Sequence, residues 1–243
     1  MAYGVRQQLE DRITELIFEL DLAPGEAMPA ETQLIERLGA GRNSVREALR
    51  ALHTRGIVDI RHGYGTFVGS APLATMGPGL LFRTRQAVRG NPGALRELVA
   101  VRRALESGLI GDVVELADPA LFERLDAEVA AMAASGAPDG GSTAGGTPEG
   151  VGQDTAAADR RFHLMLFEPL GNELATQLIE LFWDAFQTVR ADLRPVGHPG
   201  DLVHRHADIV GALRAGDTEA ARRAVLEHFD DVESRVAKLA ADS

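Results

Sequence analysis

Four side chains in the C-terminal half have the types and the spacing for metal chemistry. Asp159 and His163 stand four residues apart, so on a helix they share one face, which also carries Leu166, Phe167 and Leu170. His206 falls in line with Ile209, Val210 and Leu213, and His228 with Val225, Val232 and Val236, so both rings face inward. His204, aligned with Ala207, Asp208 and Gly211, faces water instead. Ala215-Gly216-Asp217 makes a turn between two helices, and His206 and His228 lie eleven residues to either side of Asp217, which brings them level in an antiparallel pair. Burying such groups without partners costs on the order of several kcal/mol each, so they satisfy one another or share a ligand. For any one of these histidines taken alone, a hydrogen-bonded core residue is the better explanation. The four together, at matching faces and depths, point to a divalent cation: Zn²⁺ first, Ni²⁺ or Mn²⁺ as alternatives.

Arg102 lies four residues after Leu98 and three before Leu105, on the buried face of its own helix, where a guanidinium needs an anion. Two partners are open to it. One is Glu106, four residues on; the other is the carboxylate of an organic-acid effector whose remaining oxygens complete the metal's coordination.

A second constellation lies near the N-terminus. Arg42, Arg46 and Arg50 recur every fourth residue beside an apolar stripe of Val45, Ala48, Leu49 and Leu52, forming a cationic row on one helix suited to phosphates or base edges. Asn43 and Ser44 add short hydrogen-bonding side chains. Residues Ile57 to Ile60 then read as a strand, His62-Gly63-Tyr64-Gly65 as a turn, and Thr66 to Val68 as the returning strand of a hairpin wing. From Arg37 to Arg61 six arginines face only Glu47 and Asp59, in a chain whose net charge is −11. Positive charge is thus localised, as a nucleic-acid partner requires, while acidity elsewhere discourages indiscriminate adhesion. Lys238 is the sole lysine, so a preference for arginine is general and carries no weight by itself.

The elements that position these groups follow from periodicity. Leu9, Ile13, Leu16, Ile17 and Leu20 give a first amphipathic helix that ends at Ala23-Pro24-Gly25. A two-turn helix from Glu31 to Leu38 buries Leu34, Ile35 and Leu38, and Gly39-Ala40-Gly41 turns the chain into the arginine-bearing helix, a helix-turn-helix arrangement. Residues 71–92 read as a linker with one short helix. Helices are expected over 93–116, 119–134, 155–168, 172–193, 200–215 and 217–239, with a Gly-, Ser-, Thr- and Pro-rich disordered loop at 136–154.

The expected fold is mainly α: a winged helix-turn-helix over 1–70, joined by the linker to an all-α antiparallel bundle of six or seven helices over 93–243. A length of 243 residues suits two domains, and 45% hydrophobic content suffices for a core in each. The absence of cysteine excludes disulfides and thiolate sites. With no apolar run near about 20 residues and no signal-peptide core, no membrane partner and residence in the cytoplasm are expected.

Residues 4–70 resemble the winged helix-turn-helix domain of the GntR family of bacterial transcription regulators, through MPAETQLIERLGAGRNSVREALRAL and HGYGTFV. The resemblance implies that Arg42 and Arg46 contact DNA, with Asn43 and Ser44 beside the backbone, and that His62 with Gly63 enters the minor groove. Thr32 stands where members often carry arginine, so that contact is weakened or replaced. Residues 93–240 resemble the FCD domain of the FadR subfamily, through DRRFH, HADIVGALRAGD and EHF. This implies Asp159, His163, His206 and His228 as metal ligands, and the RRALE sequence puts Arg102 near the effector pocket. The expectation is a homodimeric repressor, not an enzyme, that binds a palindromic operator in double-stranded DNA under the control of a small carboxylate at the metal site. A metal-dependent hydrolase fused to a DNA-binding module, and a regulator with a purely structural metal, are the alternatives.

Overall fold

The computed structural model describes residues 2–90, 92–136, 148–190 and 199–241. The chain divides into two compact units, Met1–Met76 and Gly77–Ser243.

In the first unit, α1 (Ala2–Glu19), α2 (Glu31–Leu38) and α3 (Arg42–Thr54) pack around Ile13, Leu34, Val45, Ala48 and Leu52, all essentially inaccessible to water. Gly39 ends α2 in the left-handed region at φ 61°, where a side chain would be strained, and Gly41 caps α3 in extended geometry, so the chain reverses in three residues. Arg12 donates to Leu38 O at 3.0 Å, satisfying a carbonyl that the end of α2 leaves open. Strands β1 (Val58–Arg61) and β2 (Gly65–Val68) form the antiparallel wing, paired from Val58↔Val68 to Arg61↔Gly65. Val58 anchors the wing in the core, whereas Ile60, two residues further toward the hairpin turn, is exposed.

The sequence reading treats residues 23–25 only as a turn. The chain beyond that turn runs along the free edge of β2: Gly25 donates to Val68 O, Val68 to Glu26 O and Met28 to Thr66 O, each at 2.8 Å. Pro24 and Pro29 flank this segment and keep it too short for any periodicity to register.

Among the described residues the second unit holds seven α-helices: α4 (Gly77–Gly90), α5 (Pro92–Leu116), α6 (Pro119–Gly136), α7 (Pro148–Leu166), α8 (Glu173–Arg190), α9 (Pro199–Arg214) and α10 (Thr218–Ala241). Their core holds Leu95, Ile110, Leu125, Phe162, Trp183, Ile209 and Phe229. Asp118, Asn172 and Asp217 accept backbone N–H groups at the starts of α6, α8 and α10, the expected use of short acidic and amide side chains at N-caps. Gly216, at φ 65°, makes the turn between α9 and α10.

Two expectations change here. The stretch 71–92 is more than a linker: α4 is a full helix of the second unit, lying against α8, with Thr84 buried and Leu80 and Leu81 on the core. Its glycines and prolines cluster at its two ends, which makes the composition look like a connection. Of the loop expected at 136–154, residues 148–154 are helical, the first turns of α7; residues 137–147 lie outside the described ones. Pro148 suits a helix start, while Gly150 and Gly152 suppress the apolar repeat that would have announced it.

Candidate metal centre and nucleic-acid interface

Asp159 and His163 project from α7, His206 from α9 and His228 from α10, and all four are buried. One ligand atom from each lies within 4.8 Å of the other three. His206 Nε2 is 3.0 Å and His163 Nε2 3.4 Å from Asp159 Oδ1, and the Nε2 atoms of His163 and His228 are 3.2 Å apart. The rings of His206 and His228 stand 4.6 Å apart, level across the α9–α10 turn as the spacing about Asp217 requires. His204, two residues from His206, is exposed.

The outer nitrogens fix the ring orientations. His163 Nδ1–H donates to Glu106 at 2.8 Å and His206 Nδ1–H to Leu202 O at 2.7 Å, so both Nε2 atoms point at the centre, where a charged ring donates to Asp159 and a neutral one offers a lone pair to a cation. Glu106, fully buried on α5, also accepts from Arg102 Nε at 2.5 Å. Arg102 thus takes the nearer of its two open partners and still keeps its Nη2, buried, without a partner among the described residues.

Charge follows from these contacts. Burial raises Asp159, but hydrogen bonds from His163 and His206 outweigh it and hold the carboxyl well below the usual range. Burial likewise raises Glu106, and Arg102 and His163 bring it below its ordinary value. His228 is depressed by burial and then by His206 and His163. His163 is lowered by burial yet ends raised, chiefly by the charge of Glu106. The centre therefore presents an ionised carboxylate and a neutral imidazole at neutral pH.

This donor set fits a divalent cation. Ligand atoms on an ion about 2.1 Å away can be no more than about 4.2 Å apart, so shifts of roughly half an ångström complete the cage. Without an ion, the Nε2 atoms of His163 and His228 confront each other at 3.2 Å, and if both outer nitrogens carry the protons, lone pair meets lone pair. From the α9–α10 side, a cavity of about 250 Å³ lined in part by Leu202, Arg205, Glu227 and His228 reaches the cluster at His228.

Glu106, the orienting carboxylate, was legible in the sequence only as a partner for Arg102. Trp183 and Gln187 on α8 carry no sequence pattern that marks them as polar participants, yet Trp183 Nε1 and Gln187 Nε2 are buried donors without a partner among the described residues.

At the other candidate interface, Arg42, Asn43, Ser44, Arg46 and Arg50 are all exposed along α3, as are Thr32 on α2 and His62 and Gly63 at the wing tip. Gly63, at φ 80°, sits where a side chain would be strained. The cationic row is not free. Glu31 lies 2.8 Å from Arg46 and 3.8 Å from Arg42, and Glu47 is 2.7 Å from Arg50. Arg55 is held by buried Glu10, and Arg61 by Asp59. Counting charge between positions 37 and 61 overlooks Glu10 and Glu31, which reach this surface from earlier in the chain.

Residues 5–68 match the family described as bacterial regulatory proteins, gntR family, and residues 97–231 match the FCD domain. The chain is 28% identical over 248 residues to the Uxu operon transcriptional regulator of Escherichia coli, covering 95% of this chain and 86% of that one. It is 28% identical over 229 residues to the HTH-type transcriptional repressor NanR of Cronobacter sakazakii, covering 93% and 83%. Among solved structures, Streptococcus agalactiae GntR superposes with a TM-score of 0.58 at 26% identity, over 93% of this chain and 98% of that one. With a winged helix at one end, a seven-helix unit at the other and a family match to each, the chain belongs to the GntR family of bacterial regulatory proteins, as a DNA-binding transcription regulator, not an enzyme, whose second unit is an FCD domain.

Proposed function

We propose that this regulator is a homodimeric repressor whose operator affinity is set by a small carboxylate held at a divalent cation in the second unit. What supports this most directly is the convergence of Asp159, His163, His206 and His228, with two of the three imidazoles held by Glu106 and Leu202 O so that their Nε2 atoms face a common point. A bound cation would supply a Lewis-acid anchor for carboxylate oxygens. Zn²⁺, Ni²⁺ and Mn²⁺ all suit imidazole and carboxylate. Arg102 supplies the matching positive charge from the protein side, since its Nη2 remains available beside the ion pair with Glu106. A metal of purely structural purpose would give that buried donor nothing to do.

On the DNA side, Arg42 and Arg46 take phosphates or base edges, with Asn43, Ser44, Arg50 and Thr32 beside them and His62 and Gly63 in the minor groove. Each such contact exchanges a carboxylate for a phosphate: Arg46 leaves Glu31 to do so. A dimer offers two such helices at one separation, matched to two half-sites of a palindrome about one turn of DNA apart. An effector alters that match only if it binds the free and DNA-bound arrangements unequally. The repressor named among the relatives supports that direction of control.

Elemental analysis of the purified protein, paired with a mobility-shift assay on the DNA upstream of its own gene, tests this. About one equivalent of divalent metal per chain is expected, with retardation of the DNA that a carboxylate relieves. Metal-free protein whose DNA binding no organic acid alters would overturn it.

A further inference from the structure

Four buried nitrogens in the second unit have no partner among the described residues: Nδ1 of His228, within the histidine cluster itself, and beside the cluster Arg102 Nη2, Trp183 Nε1 and Gln187 Nε2. The last three are neighbours. Arg102 Cζ lies 5.1 Å from the Trp183 ring, the Trp183 ring lies 6.2 Å from that of the ligand His163, and Gln187 is one turn along α8 on the same face as Trp183. Phe229 also lies 5.2 Å from Arg102 Cζ, so the guanidinium is in reach of two aromatic rings. An orphaned buried donor costs about 1–3 kcal/mol. Three within one neighbourhood are unusual for a core that elsewhere caps its helices and pairs its charges.

All three groups share one chemical property. A guanidinium N–H and an indole N–H can only donate, and Gln187, whose amide also carries an acceptor oxygen, turns its nitrogen to this side. What satisfies them must present acceptors. A carboxylate oxygen does, and so does a carbonyl oxygen, whereas an ammonium offers only further donors and a positive charge beside Arg102.

We infer that the donor-only side chains of Arg102 and Trp183, with the amide nitrogen of Gln187 beside them, form a donor-lined wall next to the metal centre, which selects 2-oxo acids over the corresponding amino acids. This rests on the effector reading above and sharpens it, because metal and arginine alone would hold any small carboxylate. Trp183 and Gln187 are the residues that discriminate: they read the second functional group, next to the carboxylate.

The chain supplies its own reporter, since Trp183 is its single tryptophan. Metal-loaded full-length protein is titrated with three matched pairs, pyruvate and alanine, oxaloacetate and aspartate, 2-oxoglutarate and glutamate, while Trp183 emission and the heat of binding are followed. At least one oxo acid is expected to shift the emission and to bind at least about tenfold more tightly than its amino counterpart. Trp183→Phe and Gln187→Met, followed by calorimetry, should each weaken that oxo acid about tenfold while leaving metal content unchanged. Amino acids binding as tightly as oxo acids, or both variants binding like the parent, would overturn the wall. So would silence from all three oxo acids. Should lactate or gluconate still bind in that last case, the effector site stands and only its donor-wall chemistry is refuted.

Discussion

The two units assemble the same kind of charged side chains under opposite conditions. In the first, Arg42, Arg46 and Arg50 meet Glu31 and Glu47 with more than half of each arginine side chain in water. In the second, Arg102, Glu106, His163 and Asp159 meet in the core, with Glu106 out of reach of solvent. Water and salt screen the first set, so its pairs contribute little to stability and exchange readily for phosphates. Nothing screens the second set, and removing one member strands the others. Exposure therefore suits a surface that must change partners, and burial suits a site that must hold one geometry.

The contrast can be broken most forcefully at Glu106. Glu106→Leu leaves Arg102 and His163 without their shared anion and should destabilise the second unit by about 3–5 kcal/mol, read by calorimetry as a lower transition for that unit alone. Glu106→Gln, which keeps a hydrogen-bond acceptor but no charge, should instead appear mainly as metal affinity about 10–100-fold weaker. A Glu106→Leu protein as stable as the parent would show the buried network to be dispensable.

His206→Ala should come next, lowering metal occupancy and thermal midpoint together, because the ion's binding free energy contributes to folding. His204→Ala, two residues away on the exposed face, should change neither. Equal effects from the two would remove the metal centre from consideration.

The metal-free protein sharpens the comparison through pH. Burial and the neighbouring imidazoles hold His228 well below its ordinary value. The unfolded chain then takes up a proton there which the folded unit refuses, so this contribution is complete above about pH 6.5 and is lost as pH falls toward the folded value. His163 acts in the opposite sense, its contribution complete below about pH 6.5 and lost as pH rises through its raised value. Below about pH 6.5 the His163 contribution no longer changes, so the pH dependence there is that of His228. The midpoint of the second unit should fall between about pH 7 and pH 5, and His228→Asn should flatten that fall.

The smallest change in stability is expected where the change in function is greatest. Arg46→Ala should leave the thermal midpoint as it was and abolish operator retardation. Glu31→Gln, which frees Arg42 and Arg46, should strengthen binding to DNA of any sequence, more so at low salt. Unaltered retardation by Arg46→Ala would take α3 out of the groove.

Much of this was legible in the sequence wherever one face of one helix carries the information. The stripe of Val45, Ala48, Leu49 and Leu52 fixes how α3 packs and hence which way its arginines point. The equal spacing of His206 and His228 about Asp217 puts their rings together without knowledge of any other helix. What escaped depends on contacts between distant segments. Glu31 sits on α2 and Glu10 on α1, so a charge count along α3 and the wing misses both. Glu106 touches His163 across 57 positions of sequence, and its i,i+4 spacing from Arg102 conceals that second duty. Trp183 and Gln187 look like ordinary members of an amphipathic helix until their nitrogens are seen to have no partner.

The hydrogen bond from His206 to Leu202 O ties the imidazole to its own helix, one turn back. His228 has no such tether, since its Nδ1 finds no partner among the described residues. If a guest at the centre pulls on both rings, His228 can swivel about its side-chain bonds, whereas His206 must either give up about 1 kcal/mol of hydrogen bonding or carry α9 along with it. On the proposed reading, motion initiated at a bound ion would thus pass into the backbone through α9 before α10, making that helix the mechanical output of the second unit.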